Sequence, residues 1–128
     1  MTEQPQARKR ALIIDDDAEF AHALKLQLAK DGIEVQTCHY GEQGLSDAVS
    51  FRPDLVILDV LMPGIHGIHV LEELRRTPEL AGVQIMVITG LNTPEIEEEV
   101  MRLKAHFVPK TSSALGITSK AKKMLGVL

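Results

Sequence analysis

The sequence predicts a doubly wound α/β domain, with five parallel strands and helices on both faces of the sheet. Three observations predict it. Residues 11–14, 55–58 and 85–88 are apolar runs without alternation, which suits strands covered on both faces. Residues 33–38 alternate instead, with Ile33, Val35 and Thr37 set against Glu34, Gln36 and Cys38, as at the edge of a sheet. Stretches with apolar residues at helical spacing separate these segments, so strand and helix patterns take turns five times.

Taken in order, the first run leads to Asp17, a helix-capping residue type. Phe20, Leu24 and Leu28 then recur every four residues until Gly32 closes the helix. The alternating edge strand comes next, followed by a short helix marked by Leu45, Ala48 and Val49. The run at 55–58 is followed by a helix carrying Gly67, Leu71 and Leu74, which must stop before Pro78. After the run at 85–88, Thr93-Pro94 is a cap with proline at the first helical position, and Ile96, Val100 and Leu103 form the stripe. Residues 105–108 make a short fifth strand at the other edge. The last helix carries Ile117, Ala121, Met124, Leu125 and Leu128, with Gly116 weakening its start. Right-handed crossovers and an alternating edge strand favour the order 2-1-3-4-5, a flavodoxin-like (βα)5 three-layer sandwich.

The 128 residues fit one domain, with residues 1–9 as a flexible tail and 10–128 as the folded unit. Fourteen basic and 18 acidic side chains give a net charge of −4, which does not favour direct nucleic-acid binding. The single cysteine, Cys38, excludes an internal disulfide framework and reads as a small packing residue. No apolar run approaches the ~20 residues needed to span a bilayer, and no signal-peptide core follows the polar start. A cytoplasmic location is expected. Neither a repeat nor a low-complexity tract interrupts the chain.

In open α/β sheets ligands bind beyond the carboxyl ends of the strands. Asp15, Asp16 and Asp17 follow the first run, Asp59 the third, Thr89 the fourth and Lys110 the fifth. Singly, each has a bland explanation as a cap, a strand former or a solvated cation. Jointly they do not, because carboxylates on adjacent strands repel unless a cation or proton intervenes. A hard cation such as Mg²⁺ suits them, since it takes a few carboxylates and keeps several waters. Lys110 would then pair with Asp59 or with an anion bound there.

The segments LIIDDD, VILDVLMPG, VIT and FVPK, in this order, resemble the signatures of response regulator receiver domains, the CheY-like fold of two-component signalling. The resemblance runs over about residues 10–127. It implies that Asp59 accepts a phosphoryl group from a sensor histidine kinase, a histidine phosphotransfer protein or a small phosphodonor. Asp15 and Asp16 would hold Mg²⁺ with Asp59 and the backbone carbonyl of Leu61. Thr89 and Lys110 would contact the phosphoryl group. Thr89 and Phe107 would form a switch that reshapes the surface of the fourth helix, fifth strand and fifth helix. That surface would engage a downstream protein or output domain, or a second copy in a homodimer. Such a domain assists its own phosphorylation and dephosphorylation without being an enzyme in the usual sense.

The match departs from the family in two places. Proline usually follows the family lysine, whereas here Pro109 precedes Lys110 and Thr111 follows it. Leu61 and Leu91, two residues beyond Asp59 and Thr89, are apolar at positions that tune phosphoryl lifetime in the family, and predict slow self-dephosphorylation.

Two alternatives stay open. An aspartate-nucleophile phosphatase of the haloacid dehalogenase type also begins with a strand and an acidic pair. Its pattern wants threonine or valine where Glu19 stands, and it needs room for a cap domain. A receiver-like interaction module working without phosphorylation is the other. His66 and His69 are spaced for a metal but read as partly exposed polar residues. The acids at 95 and 97–99 and the lysines at 120, 122 and 123 suit the ends of their helices, and their contrast would serve docking.

Overall fold

The fold is described from a computed structural model, for residues 8–61, 67–90, 93–110 and 113–127. Its elements run β1 (Arg10–Ile14), α1 (Ala18–Lys30), β2 (Glu34–Cys38), α2 (Gly41–Phe51), β3 (Leu55–Asp59), α3 (Gly67–Arg76), β4 (Gln84–Thr89), α4 (Pro94–Arg102), β5 (His106–Pro109) and α5 (Ala114–Leu125). The strands pair in parallel in the order β2-β1-β3-β4-β5, as predicted.

The apolar runs become the central strands because a strand buried on both faces has no polar side to show. All five residues of β3 are buried. Alternate residues of each strand enter separate cores. Leu12, Ile14, Val56 and Leu58 pack on the side of α2, α3 and α4 with Leu71, Leu74 and Val100. Ala11, Ile13, Leu55 and Ile57 pack on the side of α1 and α5 with Leu24, Leu28, Ile117 and Ala121.

Local chemistry sets the helix ends. Asp17 caps α1 by accepting from the Phe20 N–H at 3.1 Å, and Gly32 follows the helix with φ +80°. Thr93 caps α4, accepting from the Ile96 N–H at 3.3 Å, with Pro94 at the first helical position. At the start of α5, Gly116 stands in the first turn, where the sequence reading puts it. Ser113 caps the helix, and Gly116 lies inside it, donating its N–H to Ser113 Oγ at 3.1 Å.

The structure also changes some boundaries. β3 and β4 each run one residue past their apolar run, so Asp59 and Thr89 are strand residues. Past the end of α3, Pro78–Leu80 forms a 3₁₀ turn that helical periodicity does not show. In β2 the alternation breaks at its end, where Cys38 is buried and Thr37 only half-buried. Lys9 already joins the sheet, its carbonyl accepting from the Glu34 N–H at 2.9 Å. Leu91, His66, Thr111, Leu128 and most of the expected tail lie outside the described residues.

Candidate functional site

The carboxyl ends of β1, β3, β4 and β5 gather at one rim. Asp59 is the last residue of β3, in register with Ile88 of β4. Thr89, the last residue of β4, stands beside Pro109, and its carbonyl accepts from the Lys110 N–H at 2.9 Å. Asp15 directly follows β1, and its N–H donates to the Cys38 carbonyl at 2.9 Å. Parallel pairing therefore delivers residues far apart in the chain to one place.

Asp15, Asp59 and Thr89 are 0%, 2% and 1% exposed, so their polar atoms need partners within the protein. Asp59 Oδ1 accepts from the Leu61 N–H at 2.9 Å, and its Oδ2 accepts from Lys110 Nζ at 3.0 Å. Asp15 Oδ1 accepts from the Asp17 N–H at 2.9 Å and from Lys110 Nζ at 3.2 Å. The second oxygen of Asp15 lies 3.0 Å from the same ammonium, but off the hydrogen-bonding direction. It is a buried carboxylate oxygen with no hydrogen bond.

Electrostatics follow from that geometry. Burial raises the Asp15 carboxyl to about 6, and the neighbouring Asp59 charge adds to the rise, against hydrogen bonds from the Asp17 backbone and Lys110. Burial works against the Lys110 ammonium, yet its bonds to Asp59 and Asp15 outweigh this and hold its pKa above the usual lysine range. One cation is thus shared by two carboxylates.

Carboxylate oxygens of Asp15, Asp16 and Asp59 lie within 4.8 Å of one another, with Asp16 exposed. An all-oxygen cluster with a buried, unbonded oxygen fits a hard divalent ion. Leu61 sits beside it, held through its N–H, and is 46% exposed. Phe107 stands apart in β5, half-buried in register with Val87 and packed on the α2–α3–α4 core. Exposed His69 lies in the groove between α2 and α3, beside Glu42 and Glu73.

Two contacts were not evident from sequence. His39 follows β2, and its Nδ1 lies 2.9 Å from the Asp15 carbonyl. The Phe20 ring lies under the Lys110 ammonium, 4.8 Å from Nζ to the ring centroid. Helical spacing marks Phe20 as a core residue, and it does pack on the α1–α5 core. Only its place in the first turn after an acidic run hints at the rim.

The fold is a doubly wound α/β domain with an acidic rim at the carboxyl ends of its strands, and comparison with known proteins specifies the family. The chain belongs to the response regulator receiver domain family, whose model matches residues 11–122. It is thus a receiver domain of the two-component kind. It is 42% identical over 81 residues to the transcriptional regulatory protein AfsQ1 of Streptomyces coelicolor, covering 63% of this chain and 35% of that protein. It is 39% identical over 83 residues to the DNA-binding response regulator MtrA of Mycobacterium tuberculosis, covering 65% and 35%. The chain therefore spans about a third of the length of these curated relatives.

Among solved structures, a CheY-like receiver domain from Methanospirillum hungatei shares the fold with a TM-score of 0.87 at 24% identity, covering 94% of this chain and 95% of that one. The chemotaxis protein CheY4 of Vibrio cholerae does so with a TM-score of 0.85 at 24% identity, covering 93% and 100%. No helix among the described residues is long and apolar enough to cross a membrane.

Proposed function

We propose that Asp59 accepts a phosphoryl group from the phosphohistidine of a sensor histidine kinase or histidine phosphotransfer protein, or from a small phosphodonor. The observation that carries this reading is the shared lysine. Lys110 Nζ bridges Asp59 and Asp15 while a buried oxygen of Asp15, in ion-pair range of the same ammonium, has no hydrogen bond, and Asp16 lies within reach.

Phosphoryl transfer asks a protein mainly for alignment and for charge to meet the phosphoryl oxygens. An Asp59 oxygen attacks phosphorus, and the bond from phosphorus to the donor breaks, releasing the imidazole nitrogen of a phosphohistidine or the carboxylate oxygen of an acyl phosphate. The Leu61 N–H orients the carboxylate for this attack. Lys110, held between two acids, turns to the phosphoryl oxygens, and the Thr89 hydroxyl donates to one of them. Asp15, Asp16, Asp59 and the Leu61 carbonyl would hold Mg²⁺, which supplies further positive charge when bound. The apolar side chain of Leu61 hinders water from attacking the product. Withdrawal of Thr89 toward the phosphoryl group lets Phe107 pack deeper, which shifts the α4–β5–α5 surface toward a partner-binding state. In a cytoplasmic two-component system that partner is a downstream protein, an output domain or a second receiver.

Acetyl phosphate with Mg²⁺, followed by mass spectrometry of the intact protein and its peptides, tests the reading. A labile phosphoryl group on Asp59, absent from Asp59→Ala, is expected. Failure to label the folded wild-type protein would leave a module that acts without phosphorylation. Backbone NMR shifts on adding beryllofluoride should spread from Asp59 to α4, β5 and α5; shifts confined to the rim would remove the switch.

A further inference from the structure

The aromatic ring of Phe20 occupies a place in the site that phosphoryl chemistry alone does not require. Lys110 Nζ has carboxylates on one side, Asp59 at 3.0 Å and Asp15 at 3.2 Å, and the Phe20 ring on another, 4.8 Å from the centroid. The face of an aromatic ring carries partial negative charge and attracts an ammonium, most strongly where water is scarce. Lys110 is in such a place, with its side chain 20% exposed.

Phe20 is itself held by the site. Asp15 Oδ1 accepts from the Asp17 N–H at 2.9 Å, and Asp17 Oδ1 accepts from the Phe20 N–H at 3.1 Å. The links run from Asp15 through Asp17 to Phe20, across to Lys110, and back to Asp15. The same acid thus holds the lysine directly and fixes the turn that carries the ring. The backbone beyond Lys110 continues into Thr111, where the family usually has proline, so a different constraint on the lysine has work to do.

We infer that Phe20 is a positioning residue for Lys110. Its ring face limits the sideways swing of the ammonium, so that the lysine released from Asp15 turns to the phosphoryl oxygens rather than to solvent. This rests on the reading that Asp59 is phosphorylated.

The test compares wild type with Phe20→Leu, Phe20→Met and Phe20→Tyr. Leucine and methionine keep apolar bulk without a π face, and tyrosine keeps the face. Beryllofluoride affinity at saturating Mg²⁺ is read by NMR titration, alongside the Lys110 side-chain methylene shifts. A cation–π contact of ordinary strength corresponds to a loss of about 3- to 10-fold in affinity. That loss is expected in Phe20→Leu and Phe20→Met, with Phe20→Tyr restoring affinity to within about 2-fold of wild type.

The ring-current displacement of the Lys110 methylenes should vanish in the first two variants and persist in the third. Equal affinity in all four proteins would overturn the role of Phe20 and leave Asp59 phosphorylation standing. An equal loss in all three variants would show a packing role only and also overturn it. Should one variant not fold, the other non-aromatic variant still gives the comparison with tyrosine. Wild-type protein that binds no beryllofluoride would sink the phosphorylation reading itself, and the positioning role with it.

Discussion

A carboxyl raised to about 6 by burial makes Asp15 a proton-sensitive member of the rim. The folded protein binds its proton more tightly than the unfolded chain, whose aspartate titrates near the ordinary 3.8. Between about pH 4 and pH 6 the folded state therefore holds more protons, and stability from this residue falls as pH rises through that window. The loss is roughly 3 kcal/mol at 1.36 kcal/mol per unit. Thermal unfolding of metal-free protein, comparing wild type with Asp15→Asn across pH 4–7, should show the variant gaining relative stability as pH rises. A constant difference would refute it. Divalent cation binding has the opposite dependence, because a cation needs the carboxylate ionised. Mg²⁺ affinity should weaken as pH falls below about 6, measured by NMR titration. Leu61 acts at the same scale. Its apolar side chain predicts a phosphoryl lifetime longer than seconds, shortened in Leu61→Asn, when acetyl phosphate is removed and the acyl phosphate is followed by mass spectrometry.

Elements meet at points where one residue holds two of them. Gly67 opens α3 against the end of β3, and a Cβ there would lie 2.1 Å from the Val60 Cα. Backbone on both sides leaves no rotamer to relieve the clash. Gly67→Ala should cost about 2–4 kcal/mol in denaturant unfolding, the range of severe overpacking. Arg75, near the end of α3, donates to the carbonyls of Val83 at 2.7 Å, Leu103 at 2.8 Å and Lys104 at 3.0 Å. It fastens the carboxyl end of α4 to the segment entering β4. Planar guanidinium geometry reaches three carbonyls at once, which an ammonium does not. Arg75→Lys should therefore lose about 1–3 kcal/mol, with faster amide exchange confined to the last turn of α4 and residues 103–105. Uniformly faster exchange would mean a general loss of stability. The Arg102–Glu99 pair on the same helix is exposed and predicts little effect.

At the scale of the whole molecule, strand order and helix count were legible because they rest on continuous apolar runs and a single alternating edge. Reading strands by polarity stopped them one residue short, because hydrogen bonding continues through Asp59 and Thr89. The rim was legible in kind, since strand ends must converge in a parallel sheet. Its internal links were not. Nothing in the spacing of Lys110 and Phe20 says that a cation rests on the ring, and nothing near His39 marks its contact with Asp15. The Ser113 cap of α5 was not read from the sequence, because serine at 113 is one of several polar residues before the helix. These are tertiary facts, set by which turns face each other across the sheet.

The sheet is also a wall between two rooms. Leu12 and Ile13 are bonded neighbours, yet their side chains stand on opposite sides of it, among different companions. Leu12→Ala and Ile13→Ala should each cost about 2–5 kcal/mol, and together their sum to within about 0.5 kcal/mol. Leu12 and Val56, remote in the chain but partners in register on one side, should depart from that sum. For a gene drifting under mutation, damage would then accumulate independently in the two chambers, and a repair in one would do nothing for the other.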